Sequence, residues 1–216
     1  MLIAGIDEAG RGPCIGPLVM AITLIEKENE DQLIELGVKD SKLLSVQERE
    51  RQLPEIKKIV IEYYSSHASA KQLDELMLKK SLNEIEAMHA AKLINKLKKK
   101  PDLVYVDSPD TIMEEFGKRI QKYISSPVKI ISEHKADMNY PIVSAASVIA
   151  KVERDEEIKK LSKEYGEVGS GYPGDEKTIN FLKKYLAKNK CVPKCARTAW
   201  QTIKRLDAER FQTKLF

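Results

Sequence analysis

The chain alternates short, densely apolar runs with longer stretches whose apolar residues recur every three or four positions. The runs at 2–6, 18–25, 59–64, 103–106 and 128–132 are rich in branched and aromatic residues and too short for buried helices. They predict strands. Helical spacing marks a charged stretch closing at 53–58, another from Ser81 to Leu97, and a third over 111–124. It continues in a long stretch over Pro141–Tyr165, in one starting at Asp175, and in a last one over 196–206. Ser81-Leu82-Asn83-Glu84 has the form of a capping box, and Pro141 suits a first helical turn. Strands come first, with helices between and after them, which predicts an α/β layered domain with a mixed sheet.

Two of these strands end in acids. Asp7 follows the run 2–6 and Asp107 follows 103–106, where ligands gather in α/β proteins. A third acid, Asp137, lies in His134-Lys135-Ala136-Asp137, just ahead of the long helix. On that helix Ser144, Ser147, Lys151, Arg154 and Asp155 share a face, either a wall of an active site or the solvent side. Each acid alone reads equally well as a loop cap or a lysine partner. Acids converging in a buried place need a cation, and oxygen-rich sites of this kind suit Mg²⁺ or Mn²⁺. Asp7 is followed at once by Glu8, and adjacent strand residues point to opposite faces. For both to serve one site, the strand must end or distort there, or Glu8 must act through its backbone carbonyl.

Charge adds a partner class. The segment from residue 177 onward holds eleven of the 37 basic residues and two of the 33 acidic ones, giving +9. The remainder carries 26 basic and 31 acidic groups, or −5. A basic end on a slightly acidic body suggests a polyanion, although solvated helix faces read the same way. With 216 residues, 42% of them hydrophobic, the chain supports one substantial core and is not disordered. No run approaches the roughly 20 apolar residues of a membrane span. Asp7 and Glu8 lie where a secretory signal would be apolar, so a cytoplasmic location is expected. Cys14, Cys191 and Cys195, with His67, His89 and His134, do not supply the paired spacing of a zinc site. They read as reduced thiols, with a Cys191–Cys195 disulfide as the alternative.

Five motifs resemble ribonuclease HII in their order. They are Gly5-Ile6-Asp7-Glu8-Ala9-Gly10-Arg11-Gly12-Pro13, Lys39-Asp40-Ser41-Lys42 and Asp107-Ser108-Pro109. Lys135-Ala136-Asp137 follows, with Tyr140-Pro141-Ile142-Val143-Ser144-Ala145-Ala146-Ser147 and Ala150-Lys151-Val152, and then Gly169-Ser170-Gly171-Tyr172-Pro173. The resemblance spans residues 3 to 174, and the immediate start of the first motif favours the HII branch, in its archaeal form, over ribonuclease HIII. It implies a ribonuclease H-like catalytic domain over 1–174 and a basic helical extension over 175–216. It also implies cleavage of RNA paired to DNA, including a single ribonucleotide embedded in duplex DNA. By position, Asp7, Glu8, Asp107 and Asp137 match the family's catalytic, metal-binding acids. Gly10-Arg11-Gly12 matches the loop that meets the 2′-hydroxyl, and Tyr172 the tyrosine that packs on the junction nucleotide. Ser41, Lys42 and Lys151 resemble backbone-contacting positions.

Two other readings remain at this level: a metal-dependent DNA nuclease or resolvase on the same fold, and a catalytically silent nucleic-acid-binding module. The C-terminal Gln212-Thr213-Lys214-Leu215-Phe216 resembles a sliding-clamp motif that stops short of its last aromatic, and reads equally as a frayed tail. A monomer is expected.

Overall fold

The computed structural model describes residues 1–38 and 44–212, with side chains described through residue 209. Ser41, Lys42 and the side chains of the C-terminal motif lie outside these residues. In chain order the strands are β1 (Leu2–Ala9), β2 (Leu18–Glu26), β3 (Glu62–Ala68), β4 (Leu103–Asp107) and β5 (Lys129–Glu133). Between β2 and β3 lie α1 (Glu30–Glu35) and α2 (Val46–Ile59). α3 (Ala70–Met77) and α4 (Leu82–Lys96) precede β4, and α5 (Met113–Gln121) precedes β5. The chain ends through α6 (Ala136–Asn139), α7 (Pro141–Tyr165), α8 (Glu176–Asn189) and α9 (Gln201–Gln212).

The strands form one mixed sheet in the order β3-β2-β1-β4-β5. β1 runs antiparallel to β2 and parallel to β4, and β4 runs parallel to β5. Both faces are covered. Ile3, Val19, Ala21 and Tyr105 pack with Val143 and Ala146 of α7 and Ile56 of α2. Ala4, Ile6, Ile22 and Val104 pack on the other side, against Ala87 and Ala91 of α4 and Phe116 and Ile120 of α5. Covering both faces explains why the central strands are apolar runs without alternation.

α7 sits down on the sheet at one place that permits no side chain. A Cβ on Gly5 would lie 2.4 Å from the Ile142 backbone, and the Thr23 hydroxyl beside it donates 2.8 Å to the Ile142 carbonyl. Gly5 and Thr23 are register partners, so the first turn of α7 is keyed to both strands.

The chain divides into two compact units, one of 1–9, 19–66 and 81–153, the other of 10–18, 67–80 and 154–216. The first holds the two sheet-face cores. The second has its own core of Cys14, Ile15, Leu182, Leu186, Cys195, Ala196, Ile203 and Leu206, with a single bridge pairing Ile15 and Ala196. The basic segment from 175 lies wholly within the second unit.

Some expectations shift. β3 begins three residues later than the apolar run 59–64, because α2 continues to Ile59 and Ile61 spends its N–H on the Leu24 carbonyl. The capping box at Ser81 is half formed: Ser81 accepts from the Glu84 N–H. The Glu84 carboxylate instead receives Arg119 at 2.9 Å and the Tyr123 hydroxyl.

Candidate active site

The register of β1 and β4 brings two acids side by side. The last parallel pair is Ile6 with Val106, so Asp7 and Asp107 are the next residues on adjacent strands. Both follow the parity of Ile3 and Tyr105 and therefore face α7. β1 does not end or distort at the acids. It continues in regular register, Asp7 with Ala21, Glu8 with Met20 and Ala9 with Val19, which corrects the reading of Asp7 as a strand end and leaves the backbone carbonyl of Glu8 as the remaining alternative. The cross-strand bonds of β2 carry the strand through, and Glu8 points to the opposite face by simple alternation.

Asp7 is 5% exposed and Asp137 is 2% exposed. The Asp7 carboxylate accepts the Glu8 N–H at 2.8 Å. Asp107 accepts the Ala136 N–H at 2.8 Å, which fixes the turn that delivers Asp137. That turn is entered through Lys135 in the left-handed region, at φ 56°, a conformation costly for a residue with a side chain. Burial, then the charges of Glu8 and Asp107, and finally that of Asp137, push the Asp7 carboxyl well above its usual range, while a hydrogen bond from Ser147 opposes them. Three of the four predicted acids therefore act on the fourth, Asp7, within one unit.

Ser144 and Ser147 of α7 are fully buried, and Ser144 donates to the Val38 carbonyl. The polar stripe on α7 is thus not a solvent face at these positions. Lys151 is half-buried one turn further on.

Among the described residues, no three His, Cys, Asp or Glu side chains form a ready-made metal cage. The donor chemistry nonetheless fits a hard divalent cation. Mg²⁺ takes one or two carboxylates and completes its shell with water and substrate phosphate rather than with an all-protein cage. A cluster of mutually repelling carboxylates, two of them almost fully buried, is what such an ion relieves. The cysteines are all free, Cys14 and Cys195 buried and Cys191 exposed.

The glycine loop and Tyr172 come together in the second unit. Gly10 has φ 88°, and a Cβ there would meet the Pro17 carbonyl at 2.6 Å, so no other residue fits. A Cβ on Gly12 would touch the Tyr172 ring at 3.5 Å. The N–H groups of Cys14 and Ile15 donate to the Gly171 carbonyl at 2.8 and 3.3 Å. Tyr172 is held but exposed, with 45% of its surface open. Asp175 ties this loop to α8, accepting the Ser170 hydroxyl at 2.7 Å and the Lys177 N–H at 3.0 Å. Thr178 accepts the Gly171 N–H at 2.9 Å.

A model of the family described as ribonuclease HII matches residues 4–203. The chain belongs to the ribonuclease HII family. It is 44% identical over 207 residues to ribonuclease HII of Pyrococcus furiosus, covering 96% of this chain and 92% of that one. The crystal structure of ribonuclease H2 from Pyrococcus horikoshii OT3 superposes with a TM-score of 0.93 at 42% identity, covering 98% of this chain and all of that one. The PCNA:RNase HII complex from Archaeoglobus fulgidus contains a chain similar at 44% identity and a TM-score of 0.85, covering 93% and 96%. The protein is therefore a ribonuclease H-type hydrolase with the ribonuclease H-like fold expected from its motifs.

Sequence reasoning missed Arg197, Asp175 and Thr178 as parts of the loop assembly. Asp175 carried a signal, since an Asp directly before a helical pattern is a cap. Arg197 carried a fainter one, a lone cation in the apolar stretch Cys195-Ala196-Arg197-Thr198-Ala199-Trp200.

Proposed function

We propose that this chain is an endoribonuclease that hydrolyses the RNA strand of RNA–DNA hybrids and nicks duplex DNA on the 5′ side of an embedded ribonucleotide. It leaves a 3′-hydroxyl and a 5′-phosphate and serves ribonucleotide and RNA-primer removal. The observation that carries this reading is geometric: the β1–β4 register sets buried Asp7 beside Asp107, and Asp107 holds the turn that carries buried Asp137. Asp7, Glu8, Asp107 and Asp137 would hold Mg²⁺ or Mn²⁺, two ions during turnover, with Glu8 contributing through its backbone carbonyl. When bound, divalent ions supply Lewis-acid activation of water and clamp the scissile phosphate.

The remaining work falls to this chain's own residues. Ser147 and the Glu8 N–H orient Asp7. Asp107 orients the turn carrying Asp137. Gly10-Arg11-Gly12 lets backbone groups approach a ribose 2′-hydroxyl, the group that separates RNA from DNA. Exposed Tyr172 offers a flat face to the nucleotide beside it. Lys151, Ser41 and Lys42 would contact the phosphate backbone, as would the basic segment from 175.

The test is a DNA duplex with one ribonucleotide, incubated with Mg²⁺ or Mn²⁺ and compared with an all-DNA duplex. Nicking of the first alone, 5′ to the ribonucleotide, is expected; equal cutting of both duplexes, or none of either, overturns the reading. For partners, we propose a monomer that contacts a sliding clamp through Gln212, Leu215 and Phe216, by likeness to the Archaeoglobus fulgidus protein. Deleting 212–216 should abolish capture on immobilised clamp, and undiminished capture would exclude that contact.

A further inference from the structure

Beneath the glycine loop and the Tyr172 loop lie two guanidiniums that no motif claims. Arg197 is 0% exposed and Arg154 is 7% exposed. Arginine is rarely buried without a carboxylate. Arg154 has Asp155 at 3.2 Å, whereas Arg197 forms no ion pair with a carboxylate among the described residues. What Arg197 touches instead is backbone. Its Nε donates to the Gly16 carbonyl at 2.8 Å and its Nη1 to the Arg11 carbonyl at 3.4 Å, one within Gly10-Arg11-Gly12 and one four residues beyond it. Arg154 donates from Nη2 to the Ser170 carbonyl, and its Cζ stands 5.2 Å from the centre of the Tyr172 ring.

The glycines make room for these side chains. A Cβ on Gly10 would lie 3.5 Å from Arg154 Cγ and 3.7 Å from Arg197 Nη2, and one on Gly171 would lie 3.2 Å from Arg154 Nη2. Each arginine also keeps one buried nitrogen without a hydrogen-bond partner, Nε of Arg154 and Nη2 of Arg197. Burial and the Arg154 charge pull Arg197 down to about 10, so the two cations feel each other. A plain structural filler would not place two like charges side by side and leave donors unused. This arrangement costs stability, and what it secures is the position of two loops.

We propose that Arg154 and Arg197 are positioning residues for ribonucleotide selection: Arg197 sets the Arg11 carbonyl within Gly10-Arg11-Gly12 and the Gly16 carbonyl four residues beyond it, and Arg154 sets the Ser170 turn and the Tyr172 ring. The proposal rests on the ribonuclease reading above. Lysine keeps the charge at either position but not the rigid fork that reaches separate acceptors. Loosened loops should cost most where the substrate offers a single 2′-hydroxyl, because a long hybrid offers one at every RNA position.

The experiment compares wild type, Arg197→Lys and Arg154→Lys on a DNA duplex with one ribonucleotide and on a long RNA–DNA hybrid. Thermal melting verifies folding. Trp200 is the only tryptophan and stands 4.7 Å from Arg197 Cζ, so its emission, read on adding duplex in EDTA, reports on this residue. Folded variants should lose at least about tenfold more kcat/KM on the single-ribonucleotide duplex than on the hybrid. In Arg197→Lys the Trp200 response should no longer distinguish the ribonucleotide duplex from all-DNA duplex. Equal losses on both substrates, or none, in a folded variant overturn the proposal; if Arg197→Lys does not fold, Arg154→Lys decides. A wild type that cleaves neither substrate overturns the ribonuclease reading itself, and this proposal with it.

Discussion

Asp7 concentrates the physics of the site in one side chain. It is keyed to β1 by regular pairing, faces α7 by strand parity, and is held by Ser147 and the Glu8 N–H. Its carboxyl is raised first by burial and then by the neighbouring acids. A carboxyl whose folded value lies above its unfolded one stabilises the fold at low pH. That contribution is lost as pH rises from about 4 through the raised value. At neutral pH without metal, Asp7 is therefore a net cost that Asn, similar in size and uncharged, removes. Asp7→Asn should melt higher than wild type in EDTA, by roughly 2–4 °C for each kcal/mol of repulsion relieved. Added Mg²⁺ should stabilise wild type more than the variant, and cleavage should be lost while duplex binding survives. Melting curves at pH 5 and pH 8, with and without Mg²⁺, check all of this except cleavage and binding, which the nicking assay and a gel shift measure. A variant that melts lower, or gains as much from Mg²⁺, would show that Asp7 belongs to no cation site.

Elements place these residues, and one junction between elements is open to a direct test. Asp175 caps α8 while gripping the loop that presents Tyr172, and its hydrogen bonds from Ser170 and Lys177 hold its carboxyl down to about 2. With a folded value below the unfolded one, its contribution is fully present above about pH 4 and fades as pH falls toward 2. Asp175→Ala should cost about 0.5–2 kcal/mol at neutral pH. The gap to wild type should close progressively between pH 4 and pH 2, as followed by denaturant titration; a gap that stays constant over that range would mean that the carboxylate is not what holds the loop. The same element scale shows what was legible in the sequence. β1, β4 and α7 could be read because each is a long or pure pattern: an apolar run ending in Asp107, or 25 residues of helical spacing opened by Pro141. α6 could not, because four residues have no period and its entry depends on Lys135 adopting φ 56°, which Asp107 stabilises from another strand. Nor could the continuation of β1 past its acids, since only the partner strand β2 reveals that the pairing persists to Ala9. Asp107 was legible as the last residue of an apolar strand, whereas the role of Arg197 was not, because it depends on carbonyls more than 180 residues away.

The whole molecule carries its charge unevenly, +9 from residue 177 onward against −5 elsewhere. No helix among the described residues is long and apolar enough to cross a membrane. α8 concentrates the positive charge: Lys183, Lys184 and Lys188 are all exposed, on a helix whose buried side is Thr178, Leu182 and Leu186. Cations that pair with phosphates release condensed counterions, so binding weakens with salt by a slope that counts the phosphates neutralised. Such pairing reads no sequence and no 2′-hydroxyl, so it strengthens binding to every duplex alike. Replacing Lys183, Lys184 and Lys188 by Ser should therefore flatten the plot of log Kd against log salt by about one unit for each phosphate no longer neutralised, three at most. The change should be the same for all-DNA duplex and ribonucleotide duplex, with saturated kcat unaltered, because these lysines choose neither the ribose nor the scissile bond. Parallel salt plots for wild type and the triple variant would instead make α8 a solvated face. A shift confined to the ribonucleotide duplex would assign the lysines to selection rather than to attraction. Fluorescence anisotropy across a salt series separates these outcomes, and it keeps the long-range attraction of the basic segment distinct from the local test for ribose made at the glycine loop.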